Sequence, residues 1–285
     1  MLQGQARPTT TGLLGLSLAA ALSATGPARA QTPCSTPEPG LLAGVQRSHW
    51  QESDAQGRRL LRERGTLHMG GLALSGRCAD MQWQARWTHS QGRRAYDGQS
   101  STQAPVHTSS DLRVQRLALQ GWWPASQSWA VGARLDHART ARNIASSANA
   151  RGYPERFDQL QFALGARYHY QSDPAALPGP WRLGVAAWLG AGPGGQVRVS
   201  LPGFDRARLP LGAARMAALE LSLDGGAAPG ERGWALRGAL GLQHERLGAG
   251  SAQTLTRAGA PAGLAHQPRI DQRLWSAQLQ VSYRF

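Results

Sequence analysis

The sequence predicts an all-β fold: a single antiparallel up-and-down barrel of about ten strands, with eight or twelve as alternatives. Three observations carry this. After Pro39 apolar and polar residues alternate with period two, and helical periodicity is weak throughout. The connections between alternating segments run short and long in turn, and the segment count is even, which returns both chain ends to one side of a barrel.

The clearest strands come first. Residues 81–90 set Met81, Trp83, Ala85 and Trp87 against Gln82, Gln84, Arg86 and Thr88. Residues 129–136 set Trp129, Val131, Ala133 and Leu135 against Ala130, Gly132, Arg134 and Asp136. Residues 159–170 set Leu160, Phe162, Leu164, Ala166, Tyr168 and Tyr170 against Gln161, Ala163, Gly165, Arg167 and His169. Segments 181–189 and 234–242 follow suit, with Arg182 and Arg237 on the polar side, and 275–285 closes the series. Weaker strands fall near 43–52, 60–77, 110–123 and 207–223. Two of them change phase partway: Leu67 and Met69 against Leu72 and Leu74, and Leu112 and Val114 against Leu117 and Leu119. A β-bulge is the expected cause of each slip.

Short connections are expected at 78–81, 123–127, 172–180 and 224–232. Long ones are expected at 53–59, 91–109, 140–156, 192–206 and 247–268. Trp122, Trp123, Trp129, Trp181, Trp234 and Tyr283 all fall at short-turn ends, as one interfacial aromatic girdle would place them.

The start of the chain reads as an export signal. Arg7 precedes an apolar stretch from Gly12 to Ala24, and Ala28-Arg29-Ala30 offers small residues for cleavage before Gln31. The run is shorter than the ~20 residues of a spanning helix, and Gly26-Pro27 breaks it. The expected organisation is a signal peptide over 1–30, a periplasmic N-terminal segment over 31–42 and a barrel over 43–285. Cys34 in that segment and Cys78 in the first short turn then share one oxidising side, so a Cys34–Cys78 disulfide is expected.

The formal net charge is +14, and all 31 basic residues are arginine. They are spread singly along alternating strands, which argues against nucleic acid and suits lipid headgroups or polysaccharide. The histidines show no short ligand spacing, and no metal or cofactor is expected.

Period two does not say which face points out. The apolar segments are about as long as a tilted strand needs to cross a bilayer. The polar face mixes Arg and Gln with Gly and Ala, which suits a narrow lumen. There Arg86, Arg134, Arg167, Arg182, Arg237 and Arg284 are expected to pair with Asp136, Glu220 and Glu245, because buried arginine needs carboxylate or water beside it.

The final residues, QVSYRF, carry a resemblance. Phe285 ends the sequence, with Tyr283, Val281 and Leu279 at alternate positions before it. This resembles the terminal-strand signature of bacterial outer-membrane β-barrel proteins, without selecting a subfamily. The resemblance implies that the barrel-assembly machinery reads Leu279, Val281, Tyr283 and Phe285 during insertion. It also implies outer-membrane lipids and lipopolysaccharide as surroundings, in a Gram-negative envelope, with the barrel a monomer.

Some barrels of this size are enzymes. An omptin-like protease would draw on Asp97, His107, Asp111, Asp136 and His137, but no paired acids stand at outer strand ends, and Asp136 and His137 are chain neighbours pointing to opposite faces. A lipid A-modifying hydrolase needs a His-Ser pair with an acid. His89-Ser90 and His107-Thr108-Ser109 hold two of those types, without an identifiable acid. Arg93, Arg94, Tyr96 and Asp97 form the candidate ligand surface, in an outer loop over 92–110 where Tyr96-Asp97-Gly98 reads as a turn. The expectation is a structural or surface-interacting barrel with a filled lumen. A narrow pore and an outer-leaflet enzyme are the alternatives.

Overall fold

The computed structural model describes residues 34–100, 104–171, 181–227 and 231–285. The strands are β1 (Glu38–Ser53), β2 (Arg59–Cys78), β3 (Met81–Gln99), β4 (Pro105–Pro124), β5 (Trp129–Ile144), β6 (Pro154–Gln171) and β7 (Arg182–Val199). They continue with β8 (Ala207–Leu211), β9 (Ala214–Gly226), β10 (Gly233–Leu247), β11 (Gln253–Arg257), β12 (Ala260–Ala265) and β13 (Arg269–Arg284). Ten of them close an antiparallel ring: β1 to β7 in chain order, then β9, β10 and β13, which returns to β1. The β1–β13 seam runs unbroken from Gly40↔Ser282 to Ser53↔Arg269. β8 stands outside the ring. It continues the line of β9 along β7 in the same register, beyond a break at Gly212-Ala213. β11 and β12 form a separate hairpin.

All ten segments expected from alternation are present, but the strands are longer. β2 and β4 reach 20 residues each. A tilted strand needs only about 9–11 residues to cross a bilayer, so one end of the barrel projects well past any apolar belt. The expected loop over 91–109 is therefore mostly strand, with β3 running to Gln99 and β4 starting at Pro105. Tyr96-Asp97-Gly98 is β3, not a turn. The first outer connection is likewise only residues 54–58, where Asp54 accepts from Arg58 Nε at 2.7 Å and from the Arg58 amide at 2.8 Å. The Arg58 guanidinium holds the Asp54 carboxyl below the usual carboxylate range. β1 begins at Glu38, inside the expected N-terminal segment. The expected short turns at 172–180 and 224–232 lie partly or wholly outside the described residues.

The two phase slips are not bulges. β2 and β3 pair without interruption from Leu61↔Gly98 to Cys78↔Met81, and β3–β4 and β4–β5 are equally continuous. What changes is the face that is apolar. Leu67 and Leu112 point inward at 1% exposure each, while Leu72 at 55% and Leu117 at 45% point outward. The same inversion recurs around the ring. Near the short turns the apolar side chains face out, as a lipid-facing wall requires. Near the long connections they face in, as in a water-soluble barrel. The ring's irregularities lie elsewhere, between Glu52 and Ser53 on β1 and opposite Leu160–Phe162 of β6 on β7.

The outward apolar belt includes Leu41, Leu72, Leu119, Leu164, Leu189, Leu240 and Leu279, each 46–72% exposed. Trp123, Trp129, Trp234 and Phe285 mark its short-turn rim. Trp122, expected in that girdle, is instead 4% exposed and faces the lumen, packed on Trp188 with ring centroids 4.4 Å apart. One residue separates the faces of a strand, so of the two adjacent tryptophans only Trp123 can point out.

At the same end Cys34 and Cys78 form the expected disulfide, with Cα atoms 4.1 Å apart. The Ser35 amide donates to the Arg77 carbonyl at 2.7 Å, and Ser35 Oγ accepts from the Arg77 amide at 2.9 Å. The bridge closes a loop that contains the whole β1–β2 hairpin. Cys78→Ser should lower the stability of the oxidised barrel by about 2–4 kcal/mol. Thermal unfolding with and without reductant checks this: reduced wild type should match the variant, and equal midpoints for variant and oxidised wild type would contradict it.

Candidate functional site in the lumen and at the outer rim

Inward-facing side chains fill the lumen in layers. Toward the short turns the layer is polar. Arg134 pairs with Asp136 two residues along β5, at 2.6 Å. Arg237 on β10 reaches Glu220 at 2.7 Å and Asp224 at 3.3 Å, both on β9. Arg284 pairs with Glu38 across the seam at 3.0 Å. Arg167 donates to Gln82 Oε1 at 2.8 Å and lies 4.5 Å from the Trp122 ring centroid. Arg86 donates to Gln278 Oε1 at 3.3 Å. Buried arginines here therefore use amides and ring faces as well as carboxylates. Glu245, expected to pair with arginine, is bonded to the Gln161 and Gln243 amides instead. Arg182 is half-buried at the start of β7 and has no carboxylate within 4.0 Å among the described residues.

Above this layer lies a cavity of about 110 Å³, lined in part by Gln46, Thr88, Arg116, Gln159 and Gln272. An apolar layer follows toward the long connections. Trp50, Leu61, Tyr96, Val106, Ile144, Phe157, Val197, Leu209, Leu247 and Ile270 form one buried cluster drawn from nearly every strand of the ring. Trp50 and Phe157 meet edge to face at 5.4 Å.

Embedded in this apolar layer is a charge cluster. Arg142 on β5 is 1% exposed and reaches Glu52 on β1 at 2.8 Å, Glu63 on β2 at 3.4 Å, and Glu155 on β6. Its guanidinium also lies 5.2 Å from the Trp50 centroid and 5.5 Å from that of Phe157. Arg94 on β3, fully buried, sits 3.0 Å from Glu63 and donates to Ser48 Oγ at 3.3 Å. Five ionisable groups from β1, β2, β3, β5 and β6 thus meet across the bore. Gln267, between β12 and β13, donates to Glu52 at 3.4 Å.

The β11–β12 hairpin is tied down as well. Asp205, between β7 and β8, accepts from Thr256 Oγ1 at 2.7 Å and from the Gly259 amide at 3.0 Å, so the β11–β12 hairpin is latched onto the preceding connection. The Gly259 amide and the Thr256 hydroxyl hold the Asp205 carboxyl below its usual range.

Two of the four expected ligand residues move as a result. Arg94 and Tyr96, expected on an outer loop, lie inside the barrel at 0% and 8% exposure. Arg93 and Asp97 remain outside, with Arg93 paired to Asp111 at 2.9 Å and Asp97 facing Arg62 at 3.4 Å and His107 at 3.3 Å. Sequence reasoning missed Arg142, Glu52, Glu63 and Glu155. The signal available was their position: each alternates in phase with buried apolar neighbours on its own strand.

Three histidines contact aspartates outside the barrel: His107–Asp97, His137–Asp158 at 2.7 Å and His244–Asp271 at 2.6 Å. Each Asp is shared with arginine, namely Arg62, Arg139 and Arg246. Ser109 lies on the same face of β4 as His107, yet no hydrogen bond joins them among the described residues. A nucleophile–base relay needs that bond. Among the described residues no group of three or more His, Cys, Asp or Glu could hold a metal.

The outward surface differs at its two ends. Aromatic side chains mark the short-turn rim. Toward the other end the outward run of each ring strand reaches an exposed arginine: Arg47, Arg64, Arg93, Arg113, Arg139, Arg156, Arg198, Arg215, Arg246 and Arg273.

No family model matches the chain, and no curated protein does. Solved structures do resemble it. The outer-membrane protease OmpT of Escherichia coli is 11% identical, covering 87% of this chain and 96% of that one, with a TM-score of 0.47. The β domain of the Bordetella autotransporter BrkA is 15% identical over 87% and 100%, with a TM-score of 0.42. The translocator domain of the autotransporter NalP from Neisseria meningitidis is 14% identical over 87% and 88%, with a TM-score of 0.41. The chain's own geometry defines its class: a closed ten-strand antiparallel barrel with an apolar exterior belt, the architecture of outer-membrane β-barrels.

Proposed function

We propose that this protein is a monomeric, non-conducting barrel of a Gram-negative outer membrane, with a structural or surface-interacting role. Its surroundings would be membrane lipid and lipopolysaccharide, reached after export and insertion by the barrel-assembly machinery. The apolar belt supports the membrane setting. The observation that carries the non-conducting role is the layer around Arg142, which spans the bore with fully buried side chains. Ions crossing there would have to displace close-packed apolar groups and break a buried five-membered charge cluster. This layer weighs against the narrow-pore alternative.

Conductance across planar bilayers tests the reading. The purified barrel should give no steady current steps in 1 M salt. Reproducible steps from the intact protein would show an open lumen and overturn it.

A further inference from the structure

The exterior arginines are not equally provided for. Arg93, Arg139 and Arg246 each have an aspartate on the neighbouring strand. Arg156, Arg198 and Arg208 do not. In the sheet register Arg156 of β6 stands directly opposite Arg198 of β7, and Arg198 directly opposite Arg208 of β8. All three are exposed, and their chain neighbours Glu155, Phe157, Val197, Val199 and Leu209 are buried, so the arginines share the outer face. No carboxylate lies within 4.0 Å of any of them among the described residues. Glu155 is on the opposite face, held by Arg142, and Asp158 is taken by His137 and Arg139.

Directly opposed residues have Cβ atoms about 4.5–5.5 Å apart, and like charges in that position destabilise a sheet. Three in a row, with no internal acid, is an arrangement that an external anion would relieve. Arginine forks match phosphate oxygens in pairs, so three bidentate forks offer about six donors to one polyanionic headgroup.

Height selects the anion. Leu160 is the last outward apolar residue of β6, and Arg156 lies four residues beyond it. At about 3.3 Å per residue and a tilt of roughly 40°, that is about 10 Å above the apolar belt. A phospholipid headgroup layer is only about 5–7 Å deep per leaflet. A phosphorylated saccharide headgroup extends further.

We propose that Arg156, Arg198 and Arg208 form an exterior binding site for the phosphorylated saccharide headgroup of an outer-leaflet glycolipid, lipopolysaccharide. This rests on the outer-membrane reading above.

The test uses full-length barrel in zwitterionic detergent, with folding verified by migration on a denaturing gel before and after boiling. Lipopolysaccharide, the same material after dephosphorylation, and phosphatidylglycerol are each titrated, and binding is read by native mass spectrometry and the thermal midpoint. Wild type should bind the phosphorylated form at least tenfold more tightly than either other lipid. The triple variant R156Q/R198Q/R208Q should lose at least tenfold of that affinity, while Arg113→Gln, on β4, should not. Without lipid, the triple variant should melt no lower than wild type, because repulsion has been removed. Unchanged lipopolysaccharide binding by the triple variant would overturn the site, as would equal binding of the dephosphorylated form. Equal binding of phosphatidylglycerol would overturn the glycolipid assignment. Failure of the membrane reading would appear separately, as indifference to an arginine placed in the apolar belt.

Discussion

Arg142→Met should destabilise the barrel by about 3–5 kcal/mol, although the substitution nearly keeps the side chain's length. The reason is what remains. Glu52, Glu63 and Glu155 would be left in an apolar layer with Arg94 alone. Arg94 faces Glu63, so Glu52 and Glu155 would lose the one arginine paired with them among the described residues. Combining Arg142→Met with Glu52→Gln and Glu155→Gln should restore a large part of the loss, because uncompensated buried charge causes it. Urea unfolding in lipid vesicles measures both. A loss under about 1 kcal/mol for the single variant, or no recovery in the combination, would show that the cluster is not the keystone of the outer half. The packing around it gives no such rescue, since truncating a large buried aromatic such as Trp50 leaves a cavity that no charge change fills.

Leu164→Arg separates a membrane barrel from a soluble one. Leu164 is 60% exposed near the middle of the outward apolar run of β6. On a water-facing surface the change would stay within about 0.5 kcal/mol. At the midplane of a bilayer it should cost about 2–4 kcal/mol. Refolding into vesicles and comparing unfolding midpoints decides between them. A neutral result would mean that the belt faces water or another protein, and the outer-membrane reading would fall with it.

Alternation alone located every ring strand, because one face of each is apolar over a bilayer's thickness. The Cys34–Cys78 bridge was also legible, since an even connection pattern puts both thiols at one end. Strand ends were not. Beyond the belt β3 carries Arg93, Arg94 and Asp97, residue types that read as loop, and only pairing with β2 and β4 shows that they are strand. The Arg142 cluster was hidden for a related reason. Its members come from β1, β2, β3, β5 and β6, and the one local signal, Arg142 in phase with Ile144 and Arg139 out of phase, names none of its partners. The apparent slips at 67–74 and 112–119 are changes of face that look like bulges in sequence: a hydrophobic residue says that something apolar is nearby, without saying whether that is lipid or the barrel's own interior.

That change of face divides the barrel into two regimes along a single set of hydrogen-bonded ladders. Below it, the surrounding lipid supplies the apolar phase and the protein supplies the polar filling. Above it, the protein must supply both, in water. The same strand therefore obeys opposite substitution rules a few residues apart: Leu72 of β2 would tolerate a smaller apolar residue with little penalty, whereas Leu67 would leave a void. The upper half is in effect a small soluble protein seated on a membrane one. Its wall is hydrogen-bonded strand well beyond the belt, so the barrel's outer face is built of sheet rather than of a fringe of loops.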